Sequence, residues 1–411
     1  MENIQPLFLR EILEQPRVLA NTLAQYVGPG YNLKMTRAPL DNATLKKIQK
    51  VYLTGCGTSF HAAMTARYLL EELAEIPTVV EPASECGQHQ LLVDNNTLAV
   101  SVSQSGRSKE TITALELAKK KGAITLALVN EAKSPLAKSA QGYITTLAGR
   151  VLTPSSTKAF TSQTLVLGLL AFRIAQVRGL LKDSFREEIQ QFERVAETVR
   201  HALSLCQEQI PVVSAKLLNY AHLFILAKGH LLPMVYEGAL KLKEVAKFHA
   251  EGYSAGEFGH GPLALASPST PVILMAFSDR HNGELSYQDL TYELKKRGAP
   301  LILITEDGPR KNVALLKLAD CAILLPPVPP RLLPLVALSP LQLLACRLGI
   351  LKGEDVDHPG GNLFGGGMEI LSTPERSSGD ALALKPGKKE EPKGPQVNLS
   401  NLHPPAGKLL S

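Results

Sequence analysis

Tryptophan is absent from this chain of 411 residues, and no arginine-rich stripe interleaved with aromatics occurs. With a formal charge of only +6, that pattern argues against a nucleic-acid partner. The five cysteines, Cys56, Cys86, Cys206, Cys321 and Cys346, are odd in number, widely spread and form no CxxC pair. They exclude a disulfide framework and a cysteine zinc site, and they predict a reducing, cytoplasmic setting. The opening Met1-Glu2-Asn3 lacks the basic-then-apolar order of a signal peptide. The apolar run Leu165–Ala171 is cut off by Arg173 and Arg178, and the run near Leu332–Ile350 by Pro334, Pro340 and Arg347. Neither gives the roughly twenty uninterrupted apolar residues of a membrane span, so no membrane partner is expected. The phosphate loop GxxxxGK[ST] and the dinucleotide fingerprint GxGxxG are both missing, so a nucleotide cofactor is not expected.

What is present is a globular composition, 45% hydrophobic and 20% charged, on a chain longer than one core usually serves. Residues 1–40 read as a helical arm ending near Gly28-Pro29-Gly30. Lys50–Thr54 is a strand, stopped by Gly55-Cys56-Gly57-Thr58-Ser59, and an amphipathic helix runs from about His61 to Leu73. Thr97–Ser103, the turn Gln104-Ser105-Gly106, the helix Lys109–Lys121 and the strand Ile124–Val129 repeat the grammar. The order recurs at Leu223–Leu226, Glu237–Phe248, Thr270–Leu274 and Leu301–Thr305. The expectation is an α/β protein with two tandem doubly wound, flavodoxin-like parallel-sheet lobes. Lobe one spans 41–185 and lobe two 212–350, joined by a helical connector at 186–211. A segment of different character covers 351–370. From 371 to 411 Ser, Pro, Lys, Glu and Gly dominate, and a disordered tail is predicted.

In such sheets ligands settle at the C-terminal strand ends, where helices begin. Two of those ends in lobe one are rich in hydroxyls: Gly57-Thr58-Ser59 and the stretch from Ser103 through Gln104 and Ser105 to Ser108. Ser155-Ser156-Thr157 is a third cluster. Backbone N–H groups at a helix start, joined by hydroxyls, hold a phosphate without a metal. Any single cluster is equally well explained by helix capping; three around one strand edge point to a phosphorylated sugar. Lobe two supplies acid–base candidates. Lys241 and Glu244 share a helix face, and glycines flank His260. A carboxylate and an imidazole are what proton transfer at a sugar's C1 and C2 requires. Two alternatives stand beside this: Lys241–Glu244 as a surface ion pair, and His249, Glu251, Glu257 and His260 as metal ligands. The latter lack HExxH or comparable spacing.

Taken in order, Cys56–Ser59, Ser103–Gly106, Ser156–Thr161, Glu237–Glu244, His249–Glu251, His260–Leu263, Leu341–Ala345 and Lys352-Gly353 make the sequence resemble the paired sugar isomerase (SIS) domains. These form the isomerase half of glucosamine-6-phosphate synthase and its glutaminase-less relatives, the deaminases and fructosamine-6-phosphate deglycases. The likeness covers about residues 45–360. It implies that Thr58, Ser103, Gln104, Ser105 and Ser108 bind the sugar phosphate. It implies that Glu244 moves the C1–C2 proton beside Lys241, and that His260 opens the sugar ring from a neighbouring subunit of a homodimer. No cofactor or metal is implied.

The resemblance breaks in two places. The first cysteine is Cys56, so the N-terminal cysteine nucleophile of a glutaminase is missing and glutamine is not expected to supply nitrogen. After Asp357-His358-Pro359 comes Gly360-Gly361-Asn362-Leu363-Phe364-Gly365, where the family carries a lysine; the next lysine is Lys385. The implied activity is a deaminase converting glucosamine 6-phosphate to fructose 6-phosphate and ammonia. A deglycase acting on a fructosamine phosphate and a non-catalytic sugar-phosphate sensor are its rivals.

Overall fold

The computed structural model describes residues 5–29, 33–35, 41–181, 185–277, 287–308 and 311–360. The lysine-less stretch at 361–370 and the tail at 371–411 lie outside the described residues. The arm consists of helices α1 (Leu7–Leu13) and α2 (Gln15–Tyr26), followed by α3 (Asn42–Lys47). Lobe one runs β1 (Lys50–Gly55), α4 (Thr58–Leu73), β2 (Thr78–Pro82), β3 (Thr97–Ser103), α5 (Lys109–Lys120), β4 (Ile124–Val129), α6 (Pro135–Ser139), β5 (Gly142–Thr145) and α7 (Lys158–Val177). Helices α8 (Phe185–Glu193) and α9 (Val195–Leu217) connect to lobe two, and α9 continues past residue 211. Lobe two runs β6 (His222–Ala227), α10 (Leu232–Ala246), β7 (His249–Ser254), β8 (Val272–Met275), α11 (Tyr287–Lys296), β9 (Leu301–Glu306), α12 (Val313–Leu318) and β10 (Cys321–Leu325). Helices α13 (Leu333–Ala337) and α14 (Ser339–Leu351) follow.

Every strand pairing within the two sheets is parallel. The first sheet has the order β2-β1-β3-β4-β5 and the second β7-β6-β8-β9-β10, so the two lobes share one topology. Parallel strands need helical crossovers, which cover both faces and bury the strands on both sides. That is why β3 and β9 are buried along their whole length. Alternation within a strand then separates two cores rather than core from water. Val51 and Leu53 of β1 enter a large core shared by both lobes, while Tyr52 between them joins a smaller cluster with Ala99 and Ala114.

The shared core is built where α4, α7, α9, α10 and α14 meet. Lys158–Val177 and Pro330–Leu351 are long and apolar enough to cross a membrane, and both are buried inside this core. Close approach of α10 to α14 depends on Gly238, where a Cβ would stand 2.3 Å from Leu341 Cδ1. With that contact made, α10 also lies against α4 of the other lobe. Two helices that follow the first strand of their respective sheets thus face one another.

Candidate active site

β1 and β3 are neighbours, with Gly55 opposite Val102. The crossover after β1 leads through α4 to β2 on one side, and that after β3 leads through α5 to β4 on the other. Their C-terminal ends therefore form the topological switch point, where an α/β sheet opens a crevice. Gly57 and Thr58 issue from the first strand end and Ser103 to Ser108 from the second.

The serine turn is held by its own backbone. Ser103 is buried, and its Oγ accepts the Gly106 N–H at 3.0 Å. Ser105 Oγ accepts the Arg107 N–H at 3.3 Å. In both cases the hydroxyl uses a lone pair and keeps its proton for a ligand. Gly106 sits at φ 61°, and a Cβ there would come within 2.2 Å of Ser134 Oγ, so only glycine closes this turn. Ser108 precedes α5 without spending its side chain on a cap, and the Gln104 carbonyl accepts the Asn130 N–H at 3.0 Å. Ser156 is half-buried just before α7.

The other two hydroxyls of the first cluster are used differently. Ser59 is buried, and its Oγ accepts from Gln163 Nε2 at 3.0 Å, a bond that ties α4 to α7. Thr58 reaches across to lobe two. Its hydroxyl donates to Glu237 Oε1 at 3.0 Å and accepts from Lys241 Nζ at 3.2 Å. With its proton committed to a carboxylate, Thr58 joins the lobes, and its direct service to a phosphate would require breaking that bond.

Around Thr58 the chain assembles a buried charge cluster. Glu237 and Lys241, one turn apart on α10, are both fully buried and lie 3.4 Å from one another. His61 Nδ1 lies 2.7 Å from Glu237 Oε2, and a carboxylate has no proton to give, so the imidazole donates. Lys241 Nζ continues to Glu244 Oε2 at 2.5 Å. Burial pushes the Glu237 carboxyl up, but the Lys241 charge and the bonds from His61 and Thr58 outweigh it and hold the group below its ordinary range. Burial likewise pulls the Lys241 ammonium down, and the charges of Glu237 and Glu244 more than reverse this. Both groups are ionised near neutrality.

Glu244 is the partly open end of this chain. Its side chain retains 30% exposure, one oxygen is held by Lys241, and Oε1 makes no hydrogen bond among the described residues. A carboxylate with one oxygen fixed and the other free is fit to take and return a proton. Sequence reasoning named Lys241 and Glu244 but missed Glu237 and His61. The Glu237–Lys241 spacing of four was the available signal; nothing local marked His61.

His260 stands apart. It is exposed at the end of a short 3-10 turn, Glu257–His260, and has no hydrogen bond or ion pair among the described residues. His249 and Glu251 alternate on β7 and pair at 3.8 Å, the histidine exposed and the glutamate partly so. Among the described residues, these side chains and Glu257 form no metal-binding group.

Residues 44–173 and 216–352 match the model of the SIS domain. The chain belongs to the SIS domain family. Its two SIS domains correspond to the two sheets with identical strand order. Among curated relatives, a glutamine–fructose-6-phosphate aminotransferase (isomerizing) of Brucella melitensis is 36% identical over 352 residues. One from Pseudomonas syringae is 37% identical over 356 residues. Each alignment covers 85% of this chain and 57% of the relative, so the SIS chain spans little more than half their length. The C-terminal domain of a glucosamine-fructose-6-phosphate aminotransferase from Francisella tularensis superposes with a TM-score of 0.80 at 31% identity. That match covers 87% of this chain and 99% of the other. A glucosamine-6-phosphate deaminase from Thermotoga maritima, 24% identical with a TM-score of 0.68, covers 86% of this chain and 97% of its own and shares the fold.

Proposed function

We propose that this SIS protein interconverts aldose and ketose forms of a phosphorylated sugar, and that its substrate is glucosamine 6-phosphate, released as fructose 6-phosphate and ammonia. The observation that carries the reading is Glu244: a half-buried carboxylate anchored through one oxygen to a buried lysine, with its other oxygen free. The serine turn at the switch point supports the phosphate end. Ser103, Ser105 and Ser108 offer hydroxyls beside the free N–H groups at the start of α5, and Ser156 stands before the start of α7.

With the ring opened, Glu244 removes the proton from C2 of the amino-aldose and returns it to C1. Lys241, its charge held by Glu237, stabilises the oxygen that gains negative charge as the enol forms. The product is a C2 imine; water adds to C2 and ammonia leaves. His260 serves ring opening, and its exposed, unpaired position on a turn supports work on the site of a second copy in a homodimer. This reading assigns the protein to the cytoplasm, where its cysteines stay reduced.

The test is a panel of glucosamine 6-phosphate, fructose 6-phosphate with ammonia, and fructosamine 6-phosphates, with ammonia, released amino acid and hexose phosphates measured. Ammonia and fructose 6-phosphate from the first substrate are expected. Amino-acid release from a fructosamine instead would make the protein a deglycase. Binding without turnover of any member would make it a sensor.

A further inference from the structure

The stretch after β5, residues 146–157, brings Ser156 and Thr157 to the start of α7, and it is held on two sides. On the sheet side, Asn130 gathers it. Its Oδ1 accepts the Ala148 N–H at 2.9 Å and the Thr146 hydroxyl at 3.1 Å, and its Nδ2 donates to the Gly149 carbonyl at 2.9 Å. Asn130 also donates its own N–H to Gln104, so this loop and the serine turn form one hydrogen-bonded rim.

On the opposite side stands the arm. Glu11 of α1 is fully buried and accepts the Leu152 N–H at 2.6 Å and the Thr153 hydroxyl at 2.7 Å. Lys158, also buried, lies 3.4 Å from Glu11 and donates to Glu14 at 2.7 Å and to the Arg150 carbonyl at 2.6 Å. One turn before Glu11, the Phe8 N–H donates to Asp357 Oδ1 at 2.8 Å. The same short helix therefore touches both the loop and the segment that follows α14.

An apolar contact would dock an arm with less desolvation cost than a buried carboxylate. What the carboxylate adds is direction, because it fixes one particular amide and one particular hydroxyl. The loop it fixes ends in Thr157, whose hydroxyl is buried, is not used to cap α7 and has no hydrogen-bond partner among the described residues.

We propose that Glu11 is a positioning residue of the sugar-phosphate site: by holding Leu152 and Thr153 it sets the loop that carries Ser156 and Thr157 to the site's rim. The proposal rests on the phosphosugar reading above. Glu11→Ala would remove one of the two carboxylates beside the buried Lys158 and leave a cavity, and so test folding as much as positioning. Thr153→Val is the cleaner variant, because it leaves the buried charges in place and deletes the hydroxyl that Glu11 holds, together with that hydroxyl's longer 3.3 Å contact to the Ser155 carbonyl. In the full chain it is expected to raise KM for glucosamine 6-phosphate about five- to tenfold, the effect of one lost hydrogen bond, with kcat within about twofold. Hydrogen exchange of the amides at 150–157 should quicken while lobe two is unaffected. Thr153→Ser, which keeps the hydroxyl, should restore both.

Unchanged exchange at 150–157 would overturn the proposal, as would faster exchange with an unaltered KM. If the unaltered protein neither binds nor turns over glucosamine 6-phosphate, the phosphosugar reading falls and takes this proposal with it. If it does bind and Thr153→Val matches it, only the proposal falls.

Discussion

Replacing Glu237 with Gln tests the charge cluster that joins the lobes. The side chain keeps its shape and an acceptor for Thr58 and Lys241, so what is lost is the charge opposite Lys241 and the acceptor for His61, which would face an amide N–H₂. Breaking one member of a buried ion pair costs about 3–5 kcal/mol. Lys241 still has Glu244 at 2.5 Å, so the lower end, about 3 kcal/mol, applies. That is about a hundredfold in the ratio of folded to unfolded protein.

The pH dependence gives the sharper test. The Glu237 carboxyl is held below its ordinary 4.5 in the folded chain, so its contribution is present above that value and is lost as pH falls through the folded pKa. Once protonated, glutamate and glutamine are nearly equivalent to Lys241. The stability gap between the two proteins, measured by urea unfolding, should be full at pH 7 and shrink below pH 4.5. A gap of the same size at both ends of that range, or none at pH 7, would refute the reasoning.

Three further outcomes follow from the same geometry. Glu244→Gln should lower kcat by about a hundredfold or more, with little change in KM, since it removes the proton carrier and leaves the phosphate turn intact; steady-state ammonia release measures it. Gly106→Ala should destabilise the chain by about 1–3 kcal/mol, because φ 61° and the contact with Ser134 both oppose a Cβ, and thermal unfolding reads the loss. Inactive Glu244→Gln and His260→Ala proteins, mixed under subunit exchange, should recover about a quarter of the unaltered activity if His260 serves a neighbouring site. Verified mixed dimers without recovery would deny it that role.

Local residue pattern alone places the inner strands. β1, β3, β4, β6, β8 and β9 lie within their sheets, are buried on both faces, and so appear as continuous apolar runs that sequence reasoning located. The edge strands β2, β5, β7 and β10 escaped it, because Thr78–Pro82, Gly142–Thr145, His249–Ser254 and Cys321–Leu325 are only partly buried and have a strand on one side alone. The hydroxyl clusters and the Lys241–Glu244 pair were legible because helix starts and three-residue spacing are local properties. The roles of Thr58, Ser59, Glu237 and His61 were not. Thr58 and Glu237 are 179 residues apart in the chain. Whether Thr58's hydroxyl proton serves a phosphate or a carboxylate depends on α10 lying against α4. That approach is made within a core shared by both lobes, where Gly238 lets α10 pack closely on Leu341 of α14, and only the folded chain brings those groups together.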